Sequence, residues 1–414
     1  MEGGNGMEGG DRMEDRDRSG NMKKKKVAIV NQRYGLEVNG GSEYHTRILA
    51  EHLLKEYDVE VLTTCAKDYD TWDNYYEEGM DEINGVPVRR FKTAKSRDLK
   101  KFKRLDRMRK YLPFFSVKME QKWIEEQGPF CPACIQYIEE HETEYDVFIF
   151  VTYLYYLTAV GLKKAADKSI LIPTAHDEPF LKMKLYKELF SLPKGYFFNA
   201  EEEKKLVYET FGTDRIPSEI GGIGIEVPDK TDGESFKKRH GLSGYILYVG
   251  RIDHGKNCRQ MFEYFARYKE RKKSDLKLVL MGKEMIEVPK REDILSLGFV
   301  SEEEKYDGMS GAQLLVLPSR YESLSIVVLD SMKLEVPVVV NKECPVLKEH
   351  CRKSGGGLYY GNYEEFERAV DFLLTHEEER EEMGKNGRKY VEANYQWDVI
   401  LGKLDSLIDR CIVI

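Results

Sequence analysis

AQLLVLPSRYESLSIVVLDSM, residues 312–332, is an apolar run that opens into a charged loop and then into a second apolar pattern. AQLLVLP has the composition of a buried strand. The loop carries Arg320 and Glu322, and from about Ser323 to Ile326 the pattern becomes helical. A parallel strand that feeds a helix through a charged loop marks the carboxyl edge of an open α/β sheet, where ligands bind. The helix start offers free N–H groups and a dipole that favour phosphate. Glu322 stands just before that start, and Asp330 recurs eight positions later, about two turns along the helix. Two carboxylates so placed suit the paired hydroxyls of a sugar or a ribose. The plainer roles are a cap on its own helix for Glu322 and a surface position or ion pair for Asp330.

The same strand–loop–helix unit recurs on both sides. KVAIVNQ, VEVLTT, VPVRRF, YDVFIFVTY and SILIPTAH read as strands of a first sheet, with SEYHTRILAEHLLKEY as an amphipathic helix between the first two. GYILYVGR, LKLVLMG, ILSLGFV, QLLVLPS and VPVVVN read as strands of a second. Short apolar runs alternating with helical patterns predict parallel sheets covered by helices on both faces. At 414 residues the chain is too long for one compact core, so two domains are expected. The predicted division is a tail over 1–26 with almost nothing to bury, a first domain over 27–225, a second over 226–395 and a last helix over 396–414. The boundary lies near IGGIGIEVP, residues 220–228.

Composition narrows the partners. A formal net charge of −8 gives no general reason to expect nucleic acid. No stretch approaches the roughly 20 apolar residues of a membrane span, and the start lacks a secretory apolar core, so a cytoplasmic protein is expected. Seven cysteines without regular spacing fit a reducing compartment. Cys131 and Cys134 form one C-x-x-C without a second pair or matching histidines nearby. That leaves reduced thiols, or a redox pair, rather than zinc.

Two further loops carry candidate ligands at strand ends. In NGGSE, 39–43, Gly40 and Gly41 permit tight backbone geometry before a helix start, although such a pair also makes an ordinary turn. In YVGRIDHGKN, 248–257, Arg251 and Lys256 stand five apart across a loop containing Gly255. A forked guanidinium and a compact ammonium suit a diphosphate, and equally describe a solvated loop with two exposed cations.

VGRIDHGKN, LVLMG, LGFV, VLPSRYESLSIVVLDSM and VPVVVN, in that order and spacing, resemble the second domain of retaining nucleotide-sugar glycosyltransferases of family four, often called group 1. GGSE and PTAHDEP (173–179) agree with the first domain of that family. The resemblance implies an α/β protein of the GT-B fold, with two Rossmann-like domains facing across a cleft and a C-terminal helix crossing back to the first. It implies catalytic roles for His176, Arg251, Lys256 and Glu322. Arg251 and Lys256 would hold the donor diphosphate, Glu322 the sugar hydroxyls and Asp330 the ribose. Backbone at Ser323, Leu324 and Ser325 would cradle phosphate, with Gly40 and Gly41 approaching from the other domain. Gly282 and Val300 would flank the base, and His176 would lie near the reacting sugar, unless its own loop satisfies it. Two departures stand out: aspartate replaces the usual glutamate at 330, and ESLS replaces EGFG at 322–325, so Ser323 or Ser325 offers a hydroxyl where the family has glycine. The implied substrates are a nucleotide sugar and a saccharide or lipid-linked acceptor. No cofactor or metal is expected, since no D-x-D run appears in a loop suited to a divalent cation.

Residues 92–122 are strongly basic inside an acidic chain. Leu99, Phe102, Leu105 and Met108 repeat every three residues, and Tyr111, Pro113, Phe114 and Phe115 follow. Lys100, Lys101, Phe102, Lys103 and Arg104 form a candidate contact with an anionic membrane surface, as a peripheral protein of its inner face. The competing reading packs the stripe on its own domain and leaves the basic face in water. Two other function classes share the architecture: a sugar-nucleotide epimerase, and a non-catalytic nucleotide-sugar-binding partner subunit. An epimerase needs acid/base groups for proton abstraction, which the arginine–lysine and glutamate–aspartate pattern does not supply.

Overall fold

The computed structural model describes residues 24–38, 40–112 and 115–412. Residues 1–23 of the expected tail, Asn39 of NGGSE, and Pro113 and Phe114 lie outside the described residues. The first sheet has eight strands: β1 Lys26–Val30, β2 Asp58–Thr64, β3 Gly79–Ile83, β4 Val86–Phe91, β5 Val147–Val151, β6 Ser169–Ile172, β7 Gly195–Phe198 and β8 Ser218–Ile220. Their order is β3-β4-β2-β1-β5-β6-β7-β8, parallel except for β3 at the edge. The second sheet comprises β9 Tyr245–Val249, β10 Lys277–Met281, β11 Ile294–Ser296, β12 Leu314–Leu317, β13 Val338–Asn341 and β14 Gly357–Tyr360. Its order is β11-β10-β9-β12-β13-β14, and every pairing is parallel.

Register follows from burial. Ile29 of β1 sits opposite Val61 and Ile149, and Leu247 of β9 opposite Val279 and Leu315. All of these side chains are buried, so a one-residue slip would expose none of them to water yet would break the packing of both helical layers. Strand order reverses beside β1 in one sheet and beside β9 in the other, which opens a crevice at the carboxyl edge of each. Positive-φ residues other than glycine stand at these edges: Thr152 and Thr174 after β5 and β6, Asn257 and Ser325 after β9 and β12.

The chain leaves the first sheet after Ile220, and the helix Gly233–His240 begins the second layer system. The helix Trp397–Ile412 returns to the first sheet and packs on β6, β7 and β8. Gly195 admits it, since a Cβ there would lie 2.7 Å from Cys411 Sγ. Trp397 stacks on His52 of the helix Gly41–Leu53, with ring centroids 3.8 Å apart.

The basic segment forms the helix Leu99–Tyr111, capped by the Asp98 carboxylate, and packs on the helix Val117–Gln127. Its stripe turns inward: Phe102, Leu105 and Met108 are half-buried against the first-domain core, and the Phe102 ring lies 5.5 Å from Trp123. Lys101 is taken by the buried Glu126 carboxylate, which also holds Lys95 at 2.8 Å. The expectation is corrected accordingly. Phe102 is a packing residue, and the outward face keeps Lys100, Lys103 and Arg104, with Tyr111 and Leu112 exposed at its end. All seven cysteines are free and buried. Burial pushes the Cys131 thiol up to about 12 and holds Cys134 well above the ordinary range, which suits inert thiols rather than a redox pair.

Candidate functional site

The loop after β9 and the loop after β12 meet. Lys256 donates to Glu322 Oε1 at 2.6 Å, joining two sequence-predicted residues 66 positions apart. Asp253 braces the first loop by accepting from Lys256 N at 2.7 Å and by standing 3.3 Å from Arg251 Nε. Asn257 takes a left-handed conformation so that the chain can turn into the helix Cys258–Arg271, and its amide donates to Pro318 O at 3.2 Å. Asn341 donates to the same carbonyl at 3.1 Å, so the ends of β9, β12 and β13 are tied at one oxygen. Arg251 is exposed, and its guanidinium lies 5.3 Å from the ring centroid of Tyr69 in the first domain.

The short loop Ser323–Ser325 leads into the helix Ile326–Lys333. Ser325 is its N-cap at φ 68°, the left-handed region where the resembling family has glycine. His350 is buried, and burial lowers its pKa to about 4, so the neutral ring serves as a hydrogen-bonding strut. It donates to Leu324 O at 2.8 Å, while its other nitrogen lies 3.1 Å from the Tyr390 hydroxyl. The Ser323 hydroxyl is engaged across the cleft, accepting from Asn199 Nδ2 at 3.3 Å. The Ser325 hydroxyl is buried and has no partner.

His176 reaches the same place from the first domain. Its ring lies 5.6 Å from that of Tyr321, and its Nε2 is 3.4 Å from Glu178 Oε2. Tyr153 holds the other Glu178 oxygen at 2.6 Å. Burial opposes the charged imidazole, yet Glu178, and Glu322 beyond it, keep the pKa above the ordinary histidine value.

Asp330 stands apart from this group. It is 4% exposed, with Lys305 Nζ 3.9 Å from Oδ2 and the Tyr306 hydroxyl as a hydrogen-bond partner. Burial pushes its carboxyl up to about 7, with Lys305 pulling the other way and Glu302 adding to the push. Gly40 is crowded: a Cβ would lie 2.1 Å from Glu43 Oε2, because the buried Glu43 carboxylate folds back over the helix start while accepting from Arg33 Nε at 3.0 Å. Gly41 has open space around it. Gly282, at φ 145°, lets β10 pinch against β9, since a Cβ would meet Gly250 O at 1.9 Å. Val300 is half-buried beside the exposed Phe299.

The structure thus brings His176, Lys256, Glu322 and Ser323 together, places Arg251 nearby on Tyr69, and leaves Asp330 in its own buried cluster. Sequence reasoning passed over Tyr69, Glu178, Asn199, Tyr321 and His350. Tyr321 and Glu178 lay inside motifs already singled out, and Asn199 directly follows the short strand β7. Tyr69 stands within Asp68-Tyr69-Asp70, a D-x-D triplet that the sequence reading did not credit. Among the described residues no three acidic, histidine or cysteine side chains converge as a metal site.

Comparisons with known proteins bear on the second domain and on the fold. The sequence model of the family described as "Glycosyl transferases group 1" matches residues 232–390. A protein called an uncharacterized glycosyltransferase in Methanocaldococcus jannaschii is 29% identical over 166 residues, 37% of this chain and 42% of that one. The match therefore spans less than half of that relative. A Campylobacter jejuni alpha-1,4-N-acetyl-D-galactosaminyltransferase, whose name specifies a PP-undecaprenol-linked saccharide, is 22% identical over 85% of this chain and 90% of its own. Among solved structures, Anabaena Alr3699/HepE in complex with UDP and glucose superposes with a TM-score of 0.67 at 13% identity, covering 93% of this chain and 99% of that one. The second domain, residues 232–390, thus matches the group 1 glycosyltransferase model, and the two sheets with the crossing C-terminal helix have the GT-B fold.

Proposed function

We propose that the protein transfers a sugar from a nucleoside diphosphate sugar to a saccharide or lipid-linked acceptor, with retention of anomeric configuration. The observation that carries this reading is the Lys256–Glu322 bond of 2.6 Å, facing His176 across the cleft. It sets a cation for the diphosphate beside a carboxylate for the sugar hydroxyls, at the point where one ligand would touch both.

In this reading the bond between the anomeric carbon and the diphosphate oxygen breaks, and its electron pair leaves with the diphosphate. Positive charge grows on the sugar and negative charge on the leaving group. Arg251, Lys256 and the N–H groups at Ser323–Ile326 oppose the second, each well-aimed donor contributing about 3 kcal/mol. The acceptor hydroxyl bonds to the anomeric carbon and passes its proton to the departing diphosphate oxygen. Retention in a single displacement requires that attack on the face the diphosphate leaves, so the same cations would hold the departing group close to the acceptor. His176, whose pKa Glu178 raises against the effect of burial, serves as a polar contact to the reacting sugar. Asp330 would take the ribose hydroxyls from its buried position, and the Gly282–Val300 edge would flank the base. Closure of the two domains would exclude water.

The lipid-linked acceptor is supported by the name of the Campylobacter jejuni relative and by the outward basic face of the helix Leu99–Tyr111. No helix among the described residues is long and apolar enough to cross a membrane, so contact with a membrane would be peripheral. A panel of nucleotide sugars followed for slow hydrolysis tests the proposal and separates it from its rivals. Release of nucleoside diphosphate from one donor supports it. Interconversion of the donor sugar without release would favour an epimerase, and binding without either reaction a partner subunit.

A further inference from the structure

Glu203 is a buried carboxylate, 1% exposed, for which the mechanism above has no use. It is the third residue of the helix Glu201–Phe211, whose N-cap Ala200 has no side chain able to cap. Its Oε2 accepts from Asn199 N at 2.6 Å, the ordinary reach of an N-terminal glutamate back to its own helix start. Its Oε1 accepts from Ala175 N at 2.5 Å, in the loop after β6, 28 residues earlier. Helix capping accounts for the first bond only.

The second bond falls between Thr174, strained at φ 52°, and His176. One carboxylate therefore clamps two first-domain segments that touch the second domain's donor loop. From one segment His176 packs on Tyr321, and from the other the Asn199 amide donates to Ser323 at 3.3 Å. Tyr321 and Ser323 are the immediate neighbours of Glu322. Contacts around the clamp run the same way: Glu202 reaches Lys353 of the second domain at 3.3 Å, and Gly222 lies against Leu324.

We propose that Glu203 is a positioning residue for sugar transfer, whose carboxylate sets His176 and Asn199 against the loop Tyr321–Ser325 and so holds Glu322 in register across the closed cleft. The inference rests on the transferase reading for its role in turnover, and on geometry alone for the coupling between the domains.

The test is Glu203→Gln, which keeps the size but turns an NH2 group toward one of the two N–H donors. Amide hydrogen exchange is read on the full chain at Tyr321–Ser325, residues that share no hydrogen bond or ion pair with Glu203. The expected result is exchange about tenfold faster there, with β10 unchanged. With the donor found in the nucleotide-sugar panel, kcat falls by about tenfold or more while donor KM stays within about threefold, since a small misplacement at the reacting centre acts on turnover. In a His176→Ala/Asn199→Ala background the same substitution adds less than about threefold, because its two routes are gone. A folded Glu203→Gln protein with wild-type exchange at Tyr321–Ser325, or an undiminished loss in that background, overturns the proposal. Should Glu203→Gln not fold, Asn199→Ala alone must speed exchange at Tyr321–Ser325 while leaving Ala175 protected, and unchanged exchange there is equally fatal. A wild-type chain inert toward every donor would overturn the transferase reading and leave the exchange experiment decisive for the clamp.

Discussion

Asp330→Asn is expected to stabilise the second domain, increasingly so as pH rises. The carboxyl is 4% exposed and burial pushes it up to about 7 from an ordinary 3.8. Below the ordinary value both folded and unfolded chains hold the proton, and the group contributes nothing. Between the two values the unfolded chain releases a proton that the folded one keeps, so stability falls as pH rises. The loss is complete above about 7. At about 1.4 kcal/mol per pH unit the full penalty is about 4 kcal/mol, and about 3 kcal/mol of it accumulates between pH 5 and pH 8. Asparagine preserves the shape, still accepts from Tyr306 and carries no charge to desolvate. Scanning calorimetry of wild type and variant at both pH values isolates the effect, because Glu203, His45 and His350 titrate identically in each. The variant's lead in the second-domain transition should widen by about 6–10 °C from pH 5 to pH 8. A lead that is the same at both would refute the argument that burial, uncompensated by Lys305, governs this carboxyl. The same variant should bind nucleoside diphosphate about tenfold or more weakly if Asp330 holds the ribose, a trade of stability for function.

Lys256→Ala should abolish transfer and leave the fold intact, since the Lys256 side chain is part-exposed and lies in a loop outside both sheets. Near-normal turnover by the folded variant would remove Lys256 from the diphosphate site. Reversing the outward basic face with Lys103→Glu and Arg104→Glu should weaken co-sedimentation with vesicles rich in anionic lipid by about thirtyfold or more at low salt, at about 1 kcal/mol per basic residue lost near the surface. Binding that is absent in wild type, or insensitive to salt, would restrict this face to an ordinary solvated role.

The architecture was largely legible from residue order. Parallel strands buried on both faces must be continuous apolar runs, and the runs ending at Val30, Val151, Val249 and Leu317 announced themselves. The strands that escaped notice are β3, β7, β8 and β14, for separate reasons. β3, β8 and β14 are sheet-edge strands with charged or part-exposed residues, and β7, Gly195–Phe198, is a four-residue run opened by a glycine. The helix Leu99–Tyr111 was foreseen, but its apolar stripe faces either water's edge or a partner helix with the same spacing. Only Trp123, brought over by the next helix, decides between them.

The amino-acid order by itself determined the residue types at each strand end: a lysine and an arginine after β9, a glutamate after β12, a histidine after β6. Local chemistry suffices for that, because loop polarity and helix-start preferences act over a few residues. Tertiary structure alone decided who meets whom. Lys256 and Glu322 pair because β9 and β12 are neighbours in the sheet, an adjacency set by crossover topology. The Asp330 carboxyl is pushed up to about 7 because the fold buries it, against the pull of Lys305 and Tyr306 on another helix. Glu203 joins Ala175 to Asn199 because two loops end at one sheet edge. Burial and partner choice are properties of distance in space, and a one-dimensional pattern carries them only where the partners happen to lie within a few turns of each other.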